Sequence, residues 1–392
     1  MATTSETLRA YQGPAILSYG FRPFFLGGAI WAVVAMALFI FMLTGKIELP
    51  TAFNPIDWHL HELLYGFMPA IIAGFLLTAV PNWTGRLPVA GAPLAALFAL
   101  WLAGRIAVST SAVIGIGATA VIDVSFIVVL GFVAAREIVA GGNKNNLKLL
   151  VLVSLLAIGN AVFYIETADG DPANCGKRIA IAVAILLISL IGGRLAPSFT
   201  RNWLVKRGVK ALPVPFGKFD MGVIAISAIA LATWIFAPDA LLTAGLCATA
   251  GVLQSVRVLR WKGYLTVAEP LLAILHVGYV FVPLGFLLMA AGIAFPEFVA
   301  PVAAVHTWTA GAIGVMTLAV MTRASLAHTG RELHASPATV AIYAFAILGV
   351  FCRIAAAFGI EPMIMLHAAA TCWMLAFGGF ALVYGRMLLT PR

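Results

Sequence analysis

The sequence predicts an all-α polytopic integral membrane protein of 12 transmembrane helices with internal four-helix repeats. Three observations carry that reading. Hydrophobic residues make up 62% of the 392-residue chain and charged residues only 10%, with a mean hydropathy of +1.04, whereas a soluble domain carries about 25% charged residues. Apolar stretches long enough to cross a bilayer recur along the whole chain, and Lys and Arg are sorted between alternate loops. A water-soluble fold is thereby excluded.

A spanning helix needs about 20 apolar residues, because only an internally bonded backbone survives in hydrocarbon. Spans are expected at residues 24–44, 63–81, 87–104, 112–135, 147–165, 179–196, 221–238, 240–256, 270–295, 298–322, 335–352 and 362–385, with 198–220 as the longest polar loop. A missed or invented span would scramble the charge alternation. It does not: Lys46, Arg105, Lys177, Arg178 and Arg353 fall on one side and the rest of the 24 Lys and Arg on the other. The positive-inside rule then places both termini in the cytoplasm, with residues 1–23 as a cytoplasmic segment and 24–392 as one membrane domain. Residues 1–19 have no basic, apolar and small-residue succession of a signal peptide, so the first span is expected to act as the insertion signal. The +9 formal charge is accounted for by membrane sidedness, and the expected partner surface is lipid, with no nucleic acid. The four cysteines form no CxxC or CxxCH, so a haem would be held non-covalently.

The second and tenth spans align without a gap. His61, Gly66 and Thr84-Gly85-Arg86 fall on His306, Gly311 and Thr329-Gly330-Arg331, and Arg105-Ile106-Ala107 and Arg353-Ile354-Ala355 close the spans that follow. Helices one to four and nine to twelve read as related modules; chance alignment of two apolar helices is the plainer alternative. Under the repeat reading His61 and His306 stand at equivalent depths facing a shared centre, which suits two axial ligands of one haem between helices 2 and 10.

Ionisable side chains within a bilayer are costly and mark candidate functional sites. His59 and His61, two apart, point in different directions on a helix. His59 and Glu62, three apart, are expected to touch, as a carboxylate fixing the tautomer of a ligating imidazole; an interfacial Trp58-His59 anchor is the alternative. His276, near the middle of the ninth span, and His367, early in the twelfth, join His59 as candidate metal ligands, since neutral imidazole suits iron and copper. His328 and His334 read as loop residues. On the other side, Gly20-Phe21-Arg22-Pro23, Asn82 to Arg86, Gly192 to Pro197 and Arg323 to Arg331 form span ends rich in Arg. Arg86 and Arg331 are the candidates for haem propionates or an anionic partner; retention at the membrane surface explains them equally. Asp123, alone in its span, suits a proton path or a bond to a neighbouring helix.

The motifs Gly20-Phe21-Arg22-Pro23-Phe24-Phe25, Trp58-His59-Leu60-His61-Glu62, Gly74 through Arg86 and His328-Thr329-Gly330-Arg331 closely resemble the NnrS family. The resemblance runs from about residue 19 to the C-terminus. It implies a bacterial inner-membrane protein of nitric oxide metabolism, denitrification or nitrosative-stress protection that contains haem b and copper. It also implies that His59, His61, His276, His306 and His328 occupy family motif positions, without assigning a ligand role to each. Catalysis on nitric oxide or iron-nitrosyl species with a respiratory electron donor, sensing, and protection of other metal centres all fit it. By analogy alone, twelve-helix haem-copper oxidases also carry haem ligands on their second and tenth helices. Two other classes fit the residues: a secondary transporter of a small anion or metal, suggested by twelve helices and internal repeats, and an assembly factor for a respiratory complex.

Overall fold

The computed structural model describes residues 11–142, 146–170 and 174–391; the first part of the expected N-terminal segment lies outside these. The described residues contain twelve helices long and apolar enough to cross a membrane: α1 Phe21–Leu43, α2 Pro55–Thr84, α3 Ala92–Ser109, α4 Ile116–Ala140, α5 Leu147–Ala168, α6 Asn174–Lys206, α7 Lys218–Phe236, α8 Leu241–Leu259, α9 Pro270–Ala294, α10 Pro301–His328, α11 Pro337–Ala357 and α12 Pro362–Leu389. The protein is thus an all-α polytopic membrane protein.

Several helices begin or end away from the apolar stretch that betrays them. α2 starts at Pro55 rather than near residue 63, because the Asn54 side chain accepts the N–H groups of Ile56 and Asp57 and Pro55 fills the first turn, where a missing N–H costs nothing. His59 and His61 therefore lie inside the helix. α6 continues to Lys206 through most of the first half of the expected loop at 198–220. Its extension is polar overall but buries Ala196, Thr200 and Leu204, a four-residue repeat that packs one stripe of the helix. Arg105 stands within α3 and is buried, not in the loop beyond it.

Spans α2, α6 and α10 each contain a π-helical segment: Glu62–Phe67, Ile188–Gly192 and Thr307–Val315. Wide turns of this kind are uncommon and concentrate at functional positions. In α2 and α10 the backbones correspond almost position for position. A proline opens each helix, and His61 and His306 are each the last α-helical residue before the π segment. Gly85 and Gly330 then leave the right-handed region at φ +69° and +72°. The sequence match of the two spans thus extends to their backbone conformation.

The chain forms two compact units, residues 1–180, 324–331 and 380–392 in one and 181–323 and 332–379 in the other. In the first, α1 packs on α2, α3 and α5 pack on α4, and α4 packs on α2. In the second, α8 packs between α7 and α9, α6 and α10 pack on α9, and α11 packs on α10.

Candidate functional site

Polar side chains cluster in the first unit where α2 turns from α- to π-helix. His61 and Glu62 are both fully buried, as are Asn160 of α5 and, to within 1%, Arg105 of α3 and Asp123 of α4. Arg105 donates from Nη1 to Glu62 Oε1 at 2.6 Å and from Nη2 to Asp123 Oδ1. Asp123 Oδ2 also accepts from Asn160 Nδ2 at 2.7 Å and from the Tyr164 hydroxyl at 3.2 Å. The imidazole of His61 lies between the two carboxylates: Nδ1 is 3.2 Å from Glu62 Oε1, and Nε2 is 3.0 Å from Asn160 Oδ1 and 3.2 Å from Asp123 Oδ2. Four helices thus contribute to one network of four ionisable groups. Glu62 Oε2 and Arg105 Nε have no hydrogen-bond partner.

A glycine makes the approach of α3 possible. A Cβ on Gly66 would run into the Arg105 guanidinium and lie 3.0 Å from Glu62 Oε2. The Gly66 carbonyl accepts from Trp101 Nε1 at 2.9 Å, so α3 also serves the π segment's backbone.

The expected pairing of His59 with Glu62 is replaced by that of His61 with Glu62. The backbone is still α-helical at Glu62, whose N–H donates to the Trp58 carbonyl, but its Oε1 is taken by His61 Nδ1 and Arg105 Nη1. His59 stacks on Phe39, ring centroids 3.9 Å apart and planes 17° apart. His61, with both nitrogens held by protein oxygens, presents neither to an iron, so as placed it does not fit an axial ligand.

His306 and His367, in the second unit, share another arrangement. Each points Nδ1 at the carbonyl four residues back, Val302 at 2.9 Å and Met363 at 2.7 Å. Such a bond fixes the tautomer that leaves Nε2 as the coordinating atom. His276 bonds through Nε2 to the Thr200 hydroxyl at 2.7 Å, while its buried Nδ1 has no hydrogen-bond partner. Among the described residues no three His, Cys, Asp or Glu gather as a metal-ion site; a haem needs only one or two axial donors.

The second unit has a polar network of its own. Arg257, fully buried on α8, donates from Nε to Asp220 Oδ1 at 2.8 Å and from Nη1 to the Ser189 carbonyl and the Tyr279 hydroxyl. Tyr279 donates to Gln254, whose amide reaches Ser189 and Ser227. The Ser189 carbonyl belongs to the π segment of α6, so here too a side chain from a neighbouring helix serves that backbone.

The arginine-rich span ends have mostly structural partners. Arg22 donates to the carbonyls of Met387, Leu388 and Thr390 at the end of α12. Arg86 pairs with Glu137, and Arg323 lies over the Phe199 ring. Arg331 is exposed just beyond Gly330. His328 packs in the first unit against the rings of Tyr19 and Phe21.

Sequence reasoning reached His61 and Asp123 but missed Arg105, Asn160, Tyr164, Asp220, Gln254 and Arg257. The available signal was opposite charges within apolar helices, Arg105 with Asp123 and Arg257 with Asp220, since lone charges there are costly enough to demand partners.

No curated protein matches the chain. The family described as NnrS protein matches residues 15–392, nearly the whole length, including both histidine-bearing π-helical spans. The chain belongs to the NnrS family.

Proposed function

We infer that this protein acts in nitric oxide metabolism at the bacterial inner membrane, in denitrification or in protection against nitrosative stress, and that it does so with haem b and copper. Membership of the NnrS family supports the nitric-oxide-related role, and the twelve apolar helices support the membrane setting. The sorting of Lys and Arg favours cytoplasmic termini.

The observation that carries the cofactor reading is the state of His306. Its Nδ1 is fixed by the Val302 carbonyl at 2.9 Å, it is only half-buried, and it stands at the start of a nine-residue π segment. That is how a ligating imidazole is held. His306 is therefore the proposed haem ligand, and His367 and His276 the proposed copper donors. When bound, a haem would supply an iron able to exchange an electron or take up a small gas. The protein orients the His306 imidazole through the Val302 carbonyl and that of His367 through the Met363 carbonyl.

The test is an optical spectrum and metal analysis of protein made with adequate haem and copper. The reading expects a Soret band that is lost in His306→Ala and copper that falls in His276→Ala or His367→Ala. Colourless, iron-free wild-type protein overturns it, and substrate flux in proteoliposomes without pigment would favour a transporter.

A further inference from the structure

We propose that His61 is a proton-binding residue rather than a haem ligand, the second cation of a neutral buried quartet formed with Arg105, Glu62 and Asp123. A neutral imidazole has one N–H donor and one bare nitrogen, and only the imidazolium donates from both. Around His61 both nitrogens face acceptors. Nδ1 meets Glu62 Oε1. Nε2 meets Asp123 Oδ2 and Asn160 Oδ1. The Asn160 amide is oriented by its own donation to Asp123, which turns its oxygen, not its nitrogen, toward the ring. Asp123 accepts from Arg105, Asn160 and Tyr164, the surroundings of an ionised carboxylate, and beside it a neutral His61 would set one lone pair against another oxygen lone pair.

Charge counting leads to the same place. With His61 neutral, two carboxylates and one guanidinium leave the cluster one negative charge in excess, fully buried within membrane helices. An uncompensated charge there is strongly disfavoured. One proton on the imidazole makes the count two against two. The other groups facing the ring do not change it. Tyr65 turns its hydroxyl to the Gly176 carbonyl, Tyr164 donates to Asp123, and Phe53 and Phe163 offer only ring edges and faces. A proton on Glu62 would balance the charge too, but it would sit on Oε2, which has no acceptor to receive it.

An imidazolium has no lone pair to give a metal, so the two roles exclude each other. In the related α10 the residue after the histidine is Thr307 where α2 has Glu62, and His306 keeps the carbonyl-pinned form of a ligand. The two modules have thus put one repeated histidine to different uses. A quartet that holds one proton behind buried helices is the kind of group that a reaction consuming protons, or a proton-coupled carrier, requires.

The test is solid-state 15N NMR of the full-length protein, as purified, labelled at histidine and reconstituted in lipid vesicles at about pH 8, where ordinary histidines are neutral. We expect one histidine with both ring nitrogens protonated, absent in His61→Gln and converted to neutral imidazole in Asp123→Asn. A wild-type spectrum with no imidazolium overturns the proposal whether or not the variants fold, as does an imidazolium that survives in folded His61→Gln. Pigment gives a separate arm. Folded His61→Gln that has lost the Soret band of the wild type would make His61 a ligand and sink the assignment, whereas colourless wild-type protein bears only on the cofactor reading.

Discussion

Arg105 Nη1 lies 2.6 Å from Glu62 Oε1 while its Nη2 holds Asp123, so one guanidinium on α3 ties α2 to α4. The pair is buried to within 1% on both sides, which places its contribution in the regime where removal of one partner matters more than the pair's own worth.

Arg105→Leu should therefore lower stability by about 3–5 kcal/mol, the usual penalty for leaving buried charge uncompensated. Reversible unfolding in mixed micelles measures it. Combining Arg105→Leu with Glu62→Gln and Asp123→Asn should recover much of the loss, because the charges then disappear together. Equal destabilisation in the single and triple variants would show that packing, not charge balance, dominates at this site.

Gly66→Ala should cost about 1–3 kcal/mol, the range for overpacking, because the added methyl meets the Arg105 guanidinium and Glu62 Oε2. Gly117→Ala on α4 is the control: it is exposed, lies in a helix, and has nothing within 4 Å of the added atom. Thermal melts of the two variants should differ by several degrees, and coincident curves would remove Gly66 from the account.

The helices were legible because hydropathy is summed over some twenty residues and needs no partner to be known. The correspondence of His61 with His306 was legible for a related reason: repeated sequence imposes repeated backbone, down to the left-handed Gly85 and Gly330. What escaped was set by partners. Arg105 read as the end of a span because a charge beside apolar residues looks like a boundary; only Glu62 and Asp123, each on another helix, make its burial tolerable. Likewise no periodicity announces that Arg105 of another helix takes Glu62 Oε1, so the spacing that joined His59 to Glu62 on paper gave way to His61.

Arg22→Gln should loosen the end of α12 and little else. Its guanidinium accounts for the bonds to the carbonyls of Leu388 at 2.9 Å and Thr390 at 2.8 Å, groups that the last turn of a helix cannot satisfy itself. Hydrogen exchange should accelerate over residues 384–391 with no change in α2 or α4. If Arg22 instead bound a haem propionate, the absorption spectrum would shift while exchange at the C-terminus stayed as in the wild type.

The π segments give the last prediction. A wide turn departs from regular α-helical bonding, and in α2 the Gly66 carbonyl receives an N–H from Trp101 at 2.9 Å, as the Ser189 carbonyl of α6 receives one from Arg257. Trp101→Phe retains an aromatic ring in the same space but removes that donor. If the outside donor sustains the wide turn, the buried carbonyl is left unsatisfied at a cost of about 1–3 kcal/mol, and amide exchange should rise within residues 62–68 before it rises elsewhere. If the segment is held by its own backbone bonds, exchange there should match the wild type and the stability loss should be no more than a smaller ring entails. The first outcome makes α3 the support of the Glu62 turn through two side chains, Trp101 for the backbone and Arg105 for the carboxylate; the second leaves Arg105 alone in that role.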